Sequence, residues 1–172
     1  MQHANAARWS RSFEGAGMKL TAAEKHANKA ARIANRLAAM SPQNRINDVA
    51  KVFQRLVRML EADKHGNCTC VTCCKVLPWN DSGMNAGHFL SRSRHATVFH
   101  FINCHPQCAS CNDHKGGNAA RYEEFMVAKY GREAVDELKI CAEHKLKWTC
   151  EELAEKKIQL MEMARKAEER LK

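Results

Sequence analysis

The chain has 172 residues, 45% hydrophobic and 27% charged; this is the length of one domain and the balance of a folded one, which argues against wholesale disorder or a fibrous repeat. No apolar run reaches the roughly 18 to 20 residues that a membrane span needs, and Met1 to Gly17 has no apolar block behind its charges, so neither a spanning helix nor a signal peptide is expected. The net charge of +9 is uneven: residues 1–63 carry 11 Lys or Arg against 5 Asp or Glu, residues 64–118 carry 5 against 2, and residues 119–172 carry 12 of each. A polyanion such as nucleic acid is drawn to the first two segments, although a basic surface that only maintains solubility has the same composition.

In chain order, Met1 to Lys19 has no periodicity and reads as a poorly ordered arm. Thr21 can cap a basic helix running to Met40, with Ala30, Ile33, Ala34 and Leu37 on one face. Ser41-Pro42 ends it and starts a second helix, in which Ile46, Val49, Val52, Phe53, Leu56, Met59 and Leu60 recur at spacings of three and four until His65-Gly66-Asn67. From Cys68 to Asn118 the pattern breaks into short apolar pieces, glycines and ligand-type side chains, which suits hairpins and loops pinned by a metal. Asn118 to Lys129 is a short helix with Tyr122, Phe125 and Met126 inward, Arg132 to Leu138 a further turn or two. Thr149 and Glu152 form a capping box for a terminal helix over Cys150 to Lys172, striped by Leu153, Leu160, Met161, Ala164 and Leu171. The expected organisation is a basic helical region 1–64, a zinc-bound module 65–118 and a helical region 119–172, an α+β chain overall.

Seven of the nine cysteines and six of the nine histidines fall between residues 65 and 114. Cys70-x2-Cys73 and Cys108-x2-Cys111 are two knuckles, and four thiolates match the tetrahedral preference of structural Zn2+. Metal binding would supply folding free energy that a segment so poor in large apolar groups lacks. Cys68 and Cys74 offer a shifted register with poorer spacing. Cys104, Cys141 and Cys150 read as buried thiols.

Ala86-Gly87-His88-Phe89, followed by Asn103-x-His105-x-Gln107-Cys108-x2-Cys111-Asn112-x-His114-Lys115-x-Gly117-Asn118, closely resembles the NinG/Rap recombination nucleases of lambda-like phages. The resemblance extends to Cys70-x2-Cys73, to the segment Gly131 to Glu137 and to Trp148-Thr149, and covers about residues 68–153. More broadly the pattern is similar to the HNH, or ββα-metal, signature on a zinc-bound treble clef. The resemblance implies a structure-specific DNA endonuclease acting on D-loops and Holliday junctions in the bacterial cytoplasm. Its partners would be branched DNA, recombination proteins and, because symmetric cutting of a four-way junction suits two subunits, a second copy of the chain.

Hydrolysis of a phosphodiester needs an activated water and a cation on the phosphoryl and leaving oxygens. The resemblance makes His88 the general base and Asn103 the residue that orients it, although Asn103 equally suits an Asx-type turn. Asn112 takes the place of the last motif residue, reaching a catalytic Mg2+ or Mn2+. An acidic residue commonly precedes the base in HNH proteins; here Gly87 stands there, leaving Asn85, Asp113 and His114 as replacements, with His114 favoured because it falls in the matched string. Arg92, Arg94 and Lys115 are candidate contacts to the phosphate backbone, with no sequence choice implied. The rival reading is a non-catalytic zinc-stabilised DNA-binding module; a sequence-reading homing-type nuclease is disfavoured because no extended recognition segment is present.

Overall fold

A computed structural model describes residues 20–172; the arm expected over residues 1–19 lies outside the described residues. Two helices open the fold, α1 (Ala22–Ala38) and α2 (Pro42–Leu60). Thr21 and Glu24 make the reciprocal capping box at α1, and the Ser41 hydroxyl accepts from Asn44 N–H at α2, so both starts are set by local hydrogen bonds. A long gap in sequence separates these helices from their partner, the last helix α5 (Cys150–Arg170), which packs along both. Leu37 of α1, Val49, Phe53 and Leu56 of α2, and Leu153 and Leu160 of α5 share one apolar core. The α5 stripe also contains Lys157, whose ammonium reaches Asp48 on α2; Asp48 in turn accepts from Arg36 of α1 at 2.8 Å. One carboxylate thereby ties three helices together, and the charge that Lys157 brings into the interface is matched there.

Between α2 and α5 the chain forms two antiparallel ribbons. Strands β1 (Asn67–Thr69) and β2 (Val76–Pro78) make the first; β3 (Met84–His88) and β4 (Cys104–Cys108) make the second, with Gly87 opposite His105 and His88 opposite Cys104. A 3-10 turn at Phe101–Asn103 leads into β4 and a π-helical turn at Ser110–His114 follows it. Helices α3 (Ala119–Tyr130) and α4 (Arg132–Glu143) come next and pack on each other. The β3–β4 ribbon is held from both sides. Ala86 and Cys104 face the α1–α2–α5 core, while the Tyr122 hydroxyl of α3 donates to Gly87 O at 2.8 Å on the opposite face.

The chain is α+β, as expected from sequence, with several local differences. Helix α2 ends at Leu60 instead of at His65, because the Asp63 carboxylate accepts from the N–H groups of His65 and Asn67 and closes a turn there. Helix α4 runs three turns, to Glu143, since Val135, Leu138 and Ala142 continue its buried face past the expected stop. On α5, Met161 is exposed and Ile158 buried: Met161 follows Leu160 by one residue, a rotation of about 100° away from the stripe. Cys141 and Cys150 are only half-buried. Among the described residues no helix is long and apolar enough to cross a membrane.

Candidate metal centre and cleft

Cys70 and Cys73 lie in the turn after β1, Cys108 ends β4, and Cys111 sits in the π-helical turn. Their four Sγ atoms all lie within 4.8 Å of one another, and Cys73 and Cys108 are 3.7 Å apart. Ligands about 2.3 Å from a tetrahedral zinc would be separated by about 3.8 Å, so the donor set and its spacing fit a metal such as zinc. The first knuckle is shaped by its backbone: Cys74 N–H donates to Cys70 O, and Cys74 takes φ +60°. Burial opposes ionisation of Cys70, but hydrogen bonds from the Thr72 hydroxyl and from backbone N–H groups outweigh it and draw that thiol down to about 6. The neighbouring Cys68 and Cys104 stay out of the cluster; burial pushes the Cys68 thiol up to about 11.

Because Cys108 and Cys111 bracket the end of β4, the same cluster fixes where the next two side chains go. Asn112 and Asp113 line a cleft of about 700 Å3 together with Asn85, Ala86 and His88 of β3. Its other wall comes from Gln54 and Arg58 of α2, and its rim from Ser91, Arg92, Gly116 and Gly117. Asp113 accepts from Asn85 Nδ2 at 2.9 Å and from Asn112 Nδ2 at 2.6 Å, so the carboxylate is held by two amides whose oxygens remain available.

His88 packs against the Phe53 ring of α2, and its Nε2 lies 2.9 Å from Val98 O. A carbonyl can only accept, so the proton is on Nε2 and the lone pair on Nδ1, which has Cys104 Sγ 3.7 Å away. Burial pushes His88 down to about 4, the Val98 carbonyl opposing and Arg92 adding to the shift, so the imidazole is neutral at pH 7. Asn103 is wholly buried: its Oδ1 accepts from Leu90 N–H and its Nδ2 donates to Leu90 O and Thr97 O. It therefore shapes the loop whose next carbonyl, Val98 O, orients His88, and it does not line the cleft.

Gly87 explains a gap in the motif. A Cβ at this position would meet Gln107 Oε1 at 2.2 Å and Asn112 Oδ1 at 2.9 Å, so no side chain fits. Gln107 is fully buried, donates to Gly117 O at 2.6 Å and to Thr72 Oγ1 at 3.2 Å, and leaves its Oε1 without a hydrogen-bond donor over Gly87.

Of the residues singled out from sequence, His88, Asn112 and Arg92 meet in the cleft, together with the alternatives Asn85 and Asp113. His114 is exposed and outside the lining, whereas its neighbour Asp113 is inside. Arg94 turns away to pair with Glu143 at 3.1 Å, and Lys115 is exposed beside the glycines of the rim. Gln54 and Arg58 were not anticipated, since in sequence they are polar positions on an amphipathic helix. His105, in the matched string and an alternative base to His88, is buried outside the cleft lining, between Glu61 Oε1 at 3.2 Å, the Tyr130 hydroxyl and Ile102 O. Glu61 also pairs with Lys129; the His105 hydrogen bond is the main cause that draws its carboxyl down to about 2, against the cost of burial.

The sequence profile of the family described as "Bacteriophage Lambda NinG protein" matches residues 2–170. Among curated proteins, the chain is 29% identical over 103 residues to "Protein ninG" of Escherichia phage lambda, covering 59% of this chain and 48% of that one. It is 30% identical over 104 residues to "Protein ninG" of Salmonella phage P22, covering 59% and 49%. To that of Enterobacteria phage H19B it is 36% identical over 69 residues, covering 40% and 34%. These alignments span about half the length of the lambda and P22 relatives or less. No solved structure matches the chain.

Proposed function

The chain belongs to the Bacteriophage Lambda NinG protein family, and from that premise we propose that it is a structure-specific DNA endonuclease that cuts D-loops and Holliday junctions by metal-assisted phosphodiester hydrolysis. In this reading β3, β4 and the turn and helix after them are a ββα-metal unit on a zinc-bound treble clef. One observation carries the proposal: a neutral histidine, whose Nδ1 lone pair meets only the weak donor Cys104 Sγ at 3.7 Å among the described residues, shares a cleft with the oxygens of Asn112 and Asp113 and with Arg92. A module that only bound DNA would have no use for that set, although its zinc and its charge would be the same.

Zn2+ on Cys70, Cys73, Cys108 and Cys111 is structural: it anchors the turn that carries Asn112 and Asp113. The oxygens of Asp113, Asn112 and Asn85 suit a hard divalent cation, which typically takes one or two carboxylates and completes its shell with phosphate and water. Bound there, Mg2+ or Mn2+ would neutralise charge on the phosphoryl and leaving oxygens. Asp113 replaces His114 in this assignment because it faces the cleft. His88 Nδ1, once the Cys104 thiol turns its proton away, takes a proton from water as the water oxygen bonds to phosphorus; the bond to the leaving sugar oxygen breaks and that oxygen takes a proton from solvent water. Asn103 is a positioning residue, acting on His88 through the Thr97–Val98 backbone. Arg92 and Lys115 approach the DNA backbone. Branched DNA is the substrate, and a second copy of the chain and recombination proteins are the partners.

The test is cleavage of labelled D-loops and four-way junctions by zinc-loaded protein with Mg2+, with Mn2+ or with no added divalent metal. Cutting should require the added metal, and His88→Ala should lose about two to four orders of magnitude in rate while still binding the junction. The acid limb expected at about 6.5 for an ordinary imidazole moves down toward 4, because burial holds His88 neutral. Binding without cleavage under every metal condition would leave only the DNA-binding module.

A further inference from the structure

The cleft has two walls, and the chemistry described so far uses one of them. The other belongs to α2, a helix outside the segment that carries the motif. Arg58 lies on that wall with its Nε donating to Trp79 O at 2.8 Å, so a backbone carbonyl fixes the direction of the guanidinium. Arg92 lies on the rim of the same cleft. Among the described residues neither arginine has a carboxylate within ion-pair distance, whereas Arg94, two residues from Arg92 and outside the cleft, is paired with Glu143. A half-buried guanidinium without a counter-ion is costly, and burial is the leading cause that lowers its pKa. Among the described residues Asp113 is the one carboxylate that lines the cleft, and it is held by Asn85 and Asn112 on the opposite wall.

We infer that Arg58, with Arg92 on the rim of the same cleft, is a phosphate clamp that seats one backbone phosphodiester of a nucleic acid there. The guanidinium fork suits two phosphate oxygens at once, and the anion would supply the charge that the protein leaves unmatched. Gln54, whose Nε2 donates to Ala86 O at 3.2 Å, stiffens the wall one turn earlier. In this way α2 serves the site directly as well as filling the core beneath it. The inference rests on the nuclease reading only for the nature of the polyanion.

Binding of a fluorescent four-way junction and of a duplex, measured across a salt series without Mg2+ or Mn2+, tests it apart from catalysis. Arg58→Gln should weaken binding about tenfold and reduce the slope of log affinity against log salt by about 0.9, the loss of one phosphate contact. Arg55→Gln is the control: it removes the same charge from the same helix, but Arg55 pairs with Glu168 and lies over Trp79, outside the cleft lining. It should change affinity less than twofold. Should Arg58→Gln melt early, Arg58→Lys keeps the stem and the charge and should still lose several-fold, since an ammonium cannot reproduce the fork. Wild-type affinity in either folded Arg58 variant overturns the inference, as does an equal loss in Arg55→Gln. Absence of cleavage by the wild-type chain would overturn the nuclease reading and leave the clamp standing.

Discussion

Gly87→Ala is a one-carbon change whose cost can be worked from the structure. The new Cβ would lie 2.2 Å from Gln107 Oε1 and 2.9 Å from Asn112 Oδ1, closer than non-bonded atoms approach, and 3.1 Å from Gln107 Cβ, a tight contact. Both strands are paired here, so the backbone cannot move aside cheaply, and the Gln107 side chain must yield. Its amide then gives up the bonds to Gly117 O and Thr72 Oγ1, each worth about 1 kcal/mol, and a buried donor left unpaired costs about 1 to 3 kcal/mol more. A destabilisation of about 3 to 5 kcal/mol is expected, measured by urea unfolding of the zinc-loaded protein. Gln107→Ala alone should cost about 1 to 3 kcal/mol from the same lost bonds, and adding Gly87→Ala to it should cost less than about 1 kcal/mol, because the oxygen at 2.2 Å has gone and only the half-exposed Asn112 amide has to give way. If Gly87→Ala is as stable as wild type, or if the two losses add in full, Gln107 does not fill the space that a side chain at 87 needs.

One zinc per chain is expected by elemental analysis, and Cys108→Ser should lose the metal and unfold the ribbon region; unchanged thermal stability would refute the four-thiolate site. Cys74→Gly should stabilise by about 0.5 to 1 kcal/mol, because Cys74 holds φ +60°, where a Cβ is crowded; a loss of stability in calorimetry would show that its side chain contributes instead. Glu61→Gln should destabilise by about 1 to 2 kcal/mol at pH 7, less than full linkage because 34% of the side chain is exposed. A carboxyl depressed to about 2 stabilises above its unfolded value of about 4.5 and loses that contribution as pH falls toward 2, so the difference from wild type should hold between pH 8 and 6; shrinkage within that range would contradict the assignment.

Much of the architecture is written in local signals. Thr21 with Glu24, Ser41-Pro42, and Thr149 with Glu152 mark helix starts because a cap is a contract among residues three apart, and the apolar spacing in α2 marks its buried face for the same reason. Two C-x2-C knuckles show their clustering in sequence because four thiols in a chain region without a core have few other uses. The places where local reading failed, the ends of α2 and α4 and the facing of Met161, are those where a turn carboxylate or a packing partner decides, and neither has a fixed spacing.

The composition of the cleft was legible only in half. His88, Asn112 and Arg92 could be picked out by residue type and motif, since β3, β4 and the knuckle that position them are close in sequence. Arg58 and Gln54 reach the same space from a helix at least 24 residues earlier than its first β3 member, on a face whose polar positions look like any solvated surface until α2 is seen against the ribbon. Gly87 reads as a missing ligand until Gln107 is found where its side chain would be, and Asp113 separates from His114 only by the turn of the π-helical segment. Lys157 and Asp48, 109 residues apart, make the same point in the core. Caps, periodicity and knuckles depend on neighbours along the chain and are encoded there; which walls close a cleft and which charges meet depend on packing between distant segments, and only the tertiary structure decides them.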